Sequence, residues 1–90
     1  MLGNFGAELS NQSALISKRV EEAFAAWTDG IAAVIAEAQK AGSVSRHLPA
    51  RVLAEFLVDA FEGAVLRAKV EKSRAPLDRF LKVTFTRILV

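Results

Sequence analysis

The residues best suited to chemistry lie on one strip. Glu55, Asp59 and Glu62 are spaced four and three apart, so any helix that carries them projects all three from one side. Carboxylates placed in this way suit a divalent cation held between helices. A di-metal bundle also asks for a Glu-x-x-His element, and the only histidine, His47, sits in SVSRHL with no cysteine or second histidine beside it. His47 is therefore read as a solvated loop residue, and neither a metal site nor a cofactor is expected. The acidic strip is read as a solvated or partly interface-buried charged surface, and Glu21 and Glu22 as the polar side of an earlier helix. No glycine-rich phosphate loop, nucleophile elbow or cysteine pair occurs. Because no set of residues supplies a nucleophile, a base and a charge stabiliser together, the chain is expected not to be an enzyme, and no catalytic residue is assigned.

The aromatics offer binding rather than catalysis. Phe24, Trp27, Phe56 and Phe61 fit either of two roles, lining an apolar small-molecule cavity between helices or packing as plain core. The cations Arg67, Lys69, Lys72, Arg74, Arg79 and Lys82 gather toward the C-terminal end, interrupted by Glu71 and Asp78 and with Phe80 as the one aromatic among them. They read as a solvated helix end rather than a phosphate-binding strip. With 12 basic and 10 acidic residues the net charge is only +2, so the sequence pI of 9.4 overstates how basic the molecule is.

Positioning these side chains falls to helices, since strand signals are absent. Leu2 to Leu9 resembles the tail of a helix, weakened by Gly3 and Gly6, and Ser10 to Ser13 form a polar break suited to N-capping. From Ala14 to Ala41 the positions Val20, Phe24, Trp27, Ile31, Val34, Ala38 and Ala41 alternate steps of four and three, a heptad seam that keeps phase across Asp29-Gly30. One long helix with a soft spot or a kink at Gly30 is expected. Gly42 is placed to cap it, and SVSRHL makes a short connection. Pro49 and Pro76 each suit the first turn of a helix, the former running to about Glu71 or Lys72, the latter to the end of the chain. The last helix carries a broad apolar face of Leu77, Phe80, Leu81, Thr84, Phe85, Ile88 and Leu89.

The helix from Pro49 is apolar on too wide an arc for one neighbour to cover. Arg51, Glu55, Asp59, Glu62 and Lys69 form a narrow polar stripe, leaving one face of Leu53, Leu57, Ala60, Ala64 and Ala68 and a second of Ala54, Val58, Phe61 and Val65. One face is expected to serve the fold and the other a second chain. Gly63, in the interior of this helix, marks either a close helix crossing or a tolerated weakness. Composition points to the same need for a partner, since 52% hydrophobic residues is more than 90 residues easily hide. Asp59 and Glu62 interrupt the greasiest run, so no membrane span is expected. Without cysteine or a recognisable secretory start, a cytoplasmic protein is the default.

Taken in order, LGNFGAELSNQ, a long helix with a mid-helix tryptophan ending in EAQKAGSV, and LAEFLVDAFEGAVLRAKVEKSRAPLDRFL resemble the C-terminal domain of TetR/AcrR-family transcriptional regulators. The resemblance covers essentially all of residues 1–90, as a single helical domain. It implies an all-α antiparallel bundle, with the helices from Pro49 and Pro76 forming an intermolecular four-helix bundle in a homodimer. It also implies a small apolar effector. Expected interface residues are Ala60, Gly63, Ala64, Arg67, Phe80, Thr84 and Ile88, and expected ligand residues are Phe24, Trp27 and Phe56. The family's basic helix-turn-helix and the other helices of its effector pocket are absent from this sequence, and SRHLPA departs from the family's usual acidic helix start. Met1 would fall inside the family's domain, so the chain is expected to be a regulator fragment that makes no direct nucleic-acid contact. Two alternatives are a free-standing protein that forms mixed dimers with a full-length regulator and a small apolar-ligand carrier.

Overall fold

The computed structural model describes residues 14–90, so the expected features of Leu2 to Leu9 and of Ser10 to Ser13 lie outside the described residues. Helix α1 spans Ala14–Lys40, α2 spans Ala50–Glu71 and α3 spans Ala75–Val83, followed at once by a π-helical turn, Thr84–Ile88. The fold is an all-α bundle, and among the described residues there is no strand.

Short, chemically specified connections set the order of the helices. After α1, Gly42 takes the left-handed conformation at φ +84°. The Ser43 amide donates to the Ala38 carbonyl at 2.9 Å and the Gly42 amide to Gln39 at 3.1 Å, the paired bonds of a Schellman cap. The Gln39 amide nitrogen reaches across the connection and donates to the carbonyls of Ser45 and Leu48 at 3.0 and 2.8 Å. Pro49 stands at the N-cap of α2 rather than within its first turn, with extended backbone at φ −57° and ψ 145°. Lys72 closes α2 in the left-handed conformation, and Pro76 occupies the first turn of α3 as the sequence requires.

The helices pack antiparallel in sequence order. Ile35 and Val44, from α1 and the connection, meet Leu53, Ala54 and Leu57 of α2, and Phe80, Ile88 and Leu89 lean on this cluster from the C-terminal end. Further along the α1–α2 pair, Arg51 donates to Asp29. In the α2–α3 pair the rings of Phe61 and Phe80 meet edge to face at 5.7 Å. The Ser45 amide donates to the Val90 carbonyl at 2.8 Å, tying the last residue to the α1–α2 connection.

One expectation about α1 is corrected. Its inward stripe is Thr28, Ala32, Ile35 and Ala38, not the seam of large residues. Phe24 and Ile31 flank that stripe, each four residues from a member of it, whereas Trp27 and Val34 each lie one residue, or about 100°, from Thr28 and Ile35. Trp27 and Val34 remain 51% and 65% exposed there. Small side chains let α2 approach closely, and Leu53 and Leu57 fill the space from the other side. Helix α1 runs unbroken through Gly30. The described residues form a flat body of 48 × 29 × 16 Å. A layer so thin leaves broad apolar faces open on both sides of α2 and α3.

Candidate functional site

Two apolar grooves run along α3, one on each side. The first, of about 410 Å³, lies on the outer face of α2 and α3. Small residues of α2 make its floor: Ala60, Gly63 and Ala64 follow Phe56 at helical spacing. Phe80, Thr84 and Ile88 face them from α3 and the π-helical turn, with Pro76, Arg79 and Val83 completing the wall. All seven residues expected at an interface, Ala60, Gly63, Ala64, Arg67, Phe80, Thr84 and Ile88, thus line this one groove. Pro76, Arg79 and Val83 were not anticipated, although their spacing with Phe80 places all four on one face of α3.

Gly63 is exposed, and a β-carbon built on it would meet nothing within 4 Å. Among the described residues, no close crossing therefore requires a glycine there. Arg67 stands at the end of the groove, where its Nε donates to the Glu71 carboxylate at 2.6 Å. That hydrogen bond, with the attraction of the same carboxylate, raises the guanidinium pKa above its ordinary value.

The second groove, of about 430 Å³, opens between all three helices. Trp27 and Ile31 come from α1, Leu57, Val58 and Phe61 from α2, and Phe80, Leu81, Thr84, Phe85 and Leu89 from the C-terminal segment. Its side chains are hydrocarbon or aromatic apart from the Thr84 hydroxyl and the Trp27 indole N–H, so it suits a small molecule with little polarity.

The three expected ligand residues do not share one concavity. Trp27 lines the second groove. Phe24 packs edge to face on Trp27 at 5.8 Å but faces a separate hollow on the α1–α2 side. Phe56 lines the first groove, on the other side of α2. Phe61, Leu81 and Phe85 accompany Trp27 instead.

The hollow beside Phe24 collects the acidic strip, with Glu55, Asp59 and Glu62 around Arg51, Thr28 and Val58. The buried Thr28 hydroxyl is already committed, donating to the Phe24 carbonyl at 2.8 Å. Arg51 pairs with Asp29, and the hydrogen bond and charge of that carboxylate, with a smaller contribution from Glu55, raise its pKa above the ordinary arginine value. Among the described residues, no group of three or more histidine, cysteine or carboxylate side chains is placed to hold a metal ion. His47 is exposed, its backbone amide donating to the Ser45 hydroxyl at 3.1 Å. No helix among the described residues is long and apolar enough to cross a membrane.

Residues 1–84 match the sequence model of the tetracyclin repressor-like, C-terminal domain. The chain belongs to that family. It is also similar to the HTH-type transcriptional repressor DhaR of Mycobacterium sp. (strain GP1), with 39% identity over 89 residues. That alignment takes in 99% of this chain but 45% of the repressor, so the chain spans about half the length of its relative. No solved structure matches it. The tetracyclin repressor-like domain is a regulator domain rather than an enzyme, in keeping with the absence of catalytic motifs from the sequence.

Proposed function

We propose that this tetracyclin repressor-like domain is the ligand-sensing and homodimerisation part of a transcriptional regulator. Two copies pair through the first groove, so that α2 and α3 of each build a four-helix bundle across a two-fold axis. A small apolar effector occupies the second groove against Trp27, Phe61, Leu81 and Phe85. The chain itself does not touch DNA, and a cytoplasmic setting follows from the role.

The observation that carries this reading is the first groove itself. It is apolar, floored by Ala60, Gly63 and Ala64, and open along two helices. Small side chains admit another backbone closely, and a two-fold interface requires one patch that complements itself. Gly63 fits the same account, since no close approach among the described residues explains it.

In an intact regulator, effector binding favours one of two arrangements of the dimer and thereby the spacing of two DNA-reading heads. The deciding experiment is the molar mass by size-exclusion chromatography with light scattering across a concentration series. A dimer whose mass falls toward the monomer only on strong dilution is expected. A monomer at every concentration would refute the pairing.

A further inference from the structure

We propose that the π-helical turn Thr84–Ile88 couples the two grooves, so that a small apolar molecule filling the Trp27 groove tightens the pairing of two chains. The inference rests on the function proposed above and adds a regulatory link between its two halves.

The two grooves share a wall. Phe80 and Thr84 line both, and Thr84 is 5% exposed between them. Beyond Thr84 the chain divides its next apolar residues, with Ile88 facing the pairing groove and its neighbour Leu89 facing the Trp27 groove.

That division depends on the turn. The Leu89 amide donates to the Thr84 carbonyl, five residues back, at 2.8 Å. An α-helical turn would close four residues back, so this one holds one residue in excess. Relaxing it to α-helix would rotate all that follows by about 100° and take Ile88 and Leu89 out of their grooves together.

On this proposal the α-helical register is a second packing open to the turn, and contacts in either groove favour the one seen. A molecule packed on Phe85 and Leu89 holds the π register, which also presents Ile88 to a second copy. Such turns are rare in proteins, well under about 1% of residues, and recur at functional sites. Coupling of this kind is reciprocal, so dimerisation must tighten ligand binding by the same factor.

The test uses the whole chain and N-phenyl-1-naphthylamine, an uncharged apolar fluorophore, as the probe. Sedimentation equilibrium gives the dimer dissociation constant with and without saturating probe. Tightening of about fivefold or more is expected, at or above the low end of ordinary allosteric coupling. In a chain that both dimerises and binds the probe, a smaller change or a weakening overturns the coupling and leaves the proposed function standing. A chain that does not dimerise, or does not bind the probe, overturns both.

Deleting Thr86 gives an independent check. This residue is exposed and lines neither groove, and its hydroxyl donates to the Lys82 carbonyl at 2.6 Å. Its loss shortens the turn to α-helical length while keeping Ile88 and Leu89 in place. Pairing and probe binding are expected to persist with the link between them lost. Persistence of the link in this variant would overturn the role of the turn. Should the variant not fold, the measurement on the native chain decides the matter alone.

Discussion

The two grooves that flank α3 share Phe80 and Thr84 yet differ in everything else that lines them. On the outer side α2 contributes Phe56 and then the small residues Ala60, Gly63 and Ala64, with Arg67 and Arg79 at the edges. On the inner side it contributes Leu57, Val58 and Phe61, facing Trp27 and Phe85. Small residues let another helix come close, whereas large aromatic side chains offer an apolar ligand area to pack against. Apolar count alone makes the two faces equivalent. Side-chain size separates them, and on the function proposed above it suits the outer one to a helix and the inner one to a ligand.

The strongest way to break this contrast is Gly63→Leu. A β-carbon at this exposed position meets nothing within 4 Å among the described residues, so the fold is expected to survive. Across a dimer it must overpack the crossing, at a cost of roughly 1–3 kcal/mol or more, so pairing should weaken by about five- to 150-fold. Circular dichroism and light scattering on one sample separate the two effects. A variant that stays as dimeric and as stable as the parent would show that Gly63 does not face a second copy.

Trp27→Ala tests the other side. Trp27 is half exposed, lines only the inner of the two grooves and packs edge to face on Phe24. Aromatic pairs contribute about 0.5–1.5 kcal/mol beyond their area, so loss of the indole is expected to weaken binding of an apolar fluorophore by roughly tenfold. Emission of the fluorophore, not of the protein, provides the readout. Unchanged binding would move the ligand site away from the inner groove.

How much of this was legible in the sequence depends on what a residue type can signal. Pro49, Pro76 and Gly42 mark helix ends because their backbones allow little else, and α1, α2 and the start of α3 lie within a residue or two of where those marks place them. The residues expected at an interface gather in one groove because they share one phase along α2 and α3. The seam of α1 was misread because its true inward stripe includes Ala32 and Ala38, which carry little weight in a count of large apolar residues. Phe56 was grouped with Trp27 for its chemistry, although its position on α2 turns it to the opposite side. The π-helical turn left no mark at all. No residue type in TFTRI demands closure over five residues rather than four.

The smallest expected effect concerns the joint that sets both grooves. Helices α1 and α2 both end with a residue in the left-handed conformation, but the first uses Gly42 and the second uses Lys72, at φ 53° and ψ 47°. For a residue with a β-carbon that conformation costs about 1–2 kcal/mol. The cap nevertheless forms, with the Lys72 amide donating to the Ala68 carbonyl and the Ser73 amide reaching the same oxygen at 3.1 Å. These bonds fix the angle at which α3 leaves α2, and hence the width of both grooves. Lys72→Gly removes the steric cost, offset in part by the greater freedom of glycine in the unfolded chain. A net gain of roughly 0.5–1 kcal/mol is expected, which in a chain of this size raises Tm by about 2–8 °C at fixed protein concentration. Because the native backbone is already the one glycine favours, pairing and probe binding should not move. A gain in Tm accompanied by a change in either would mean that the strained joint holds the helices away from their preferred angle, and that the grooves owe their widths to it.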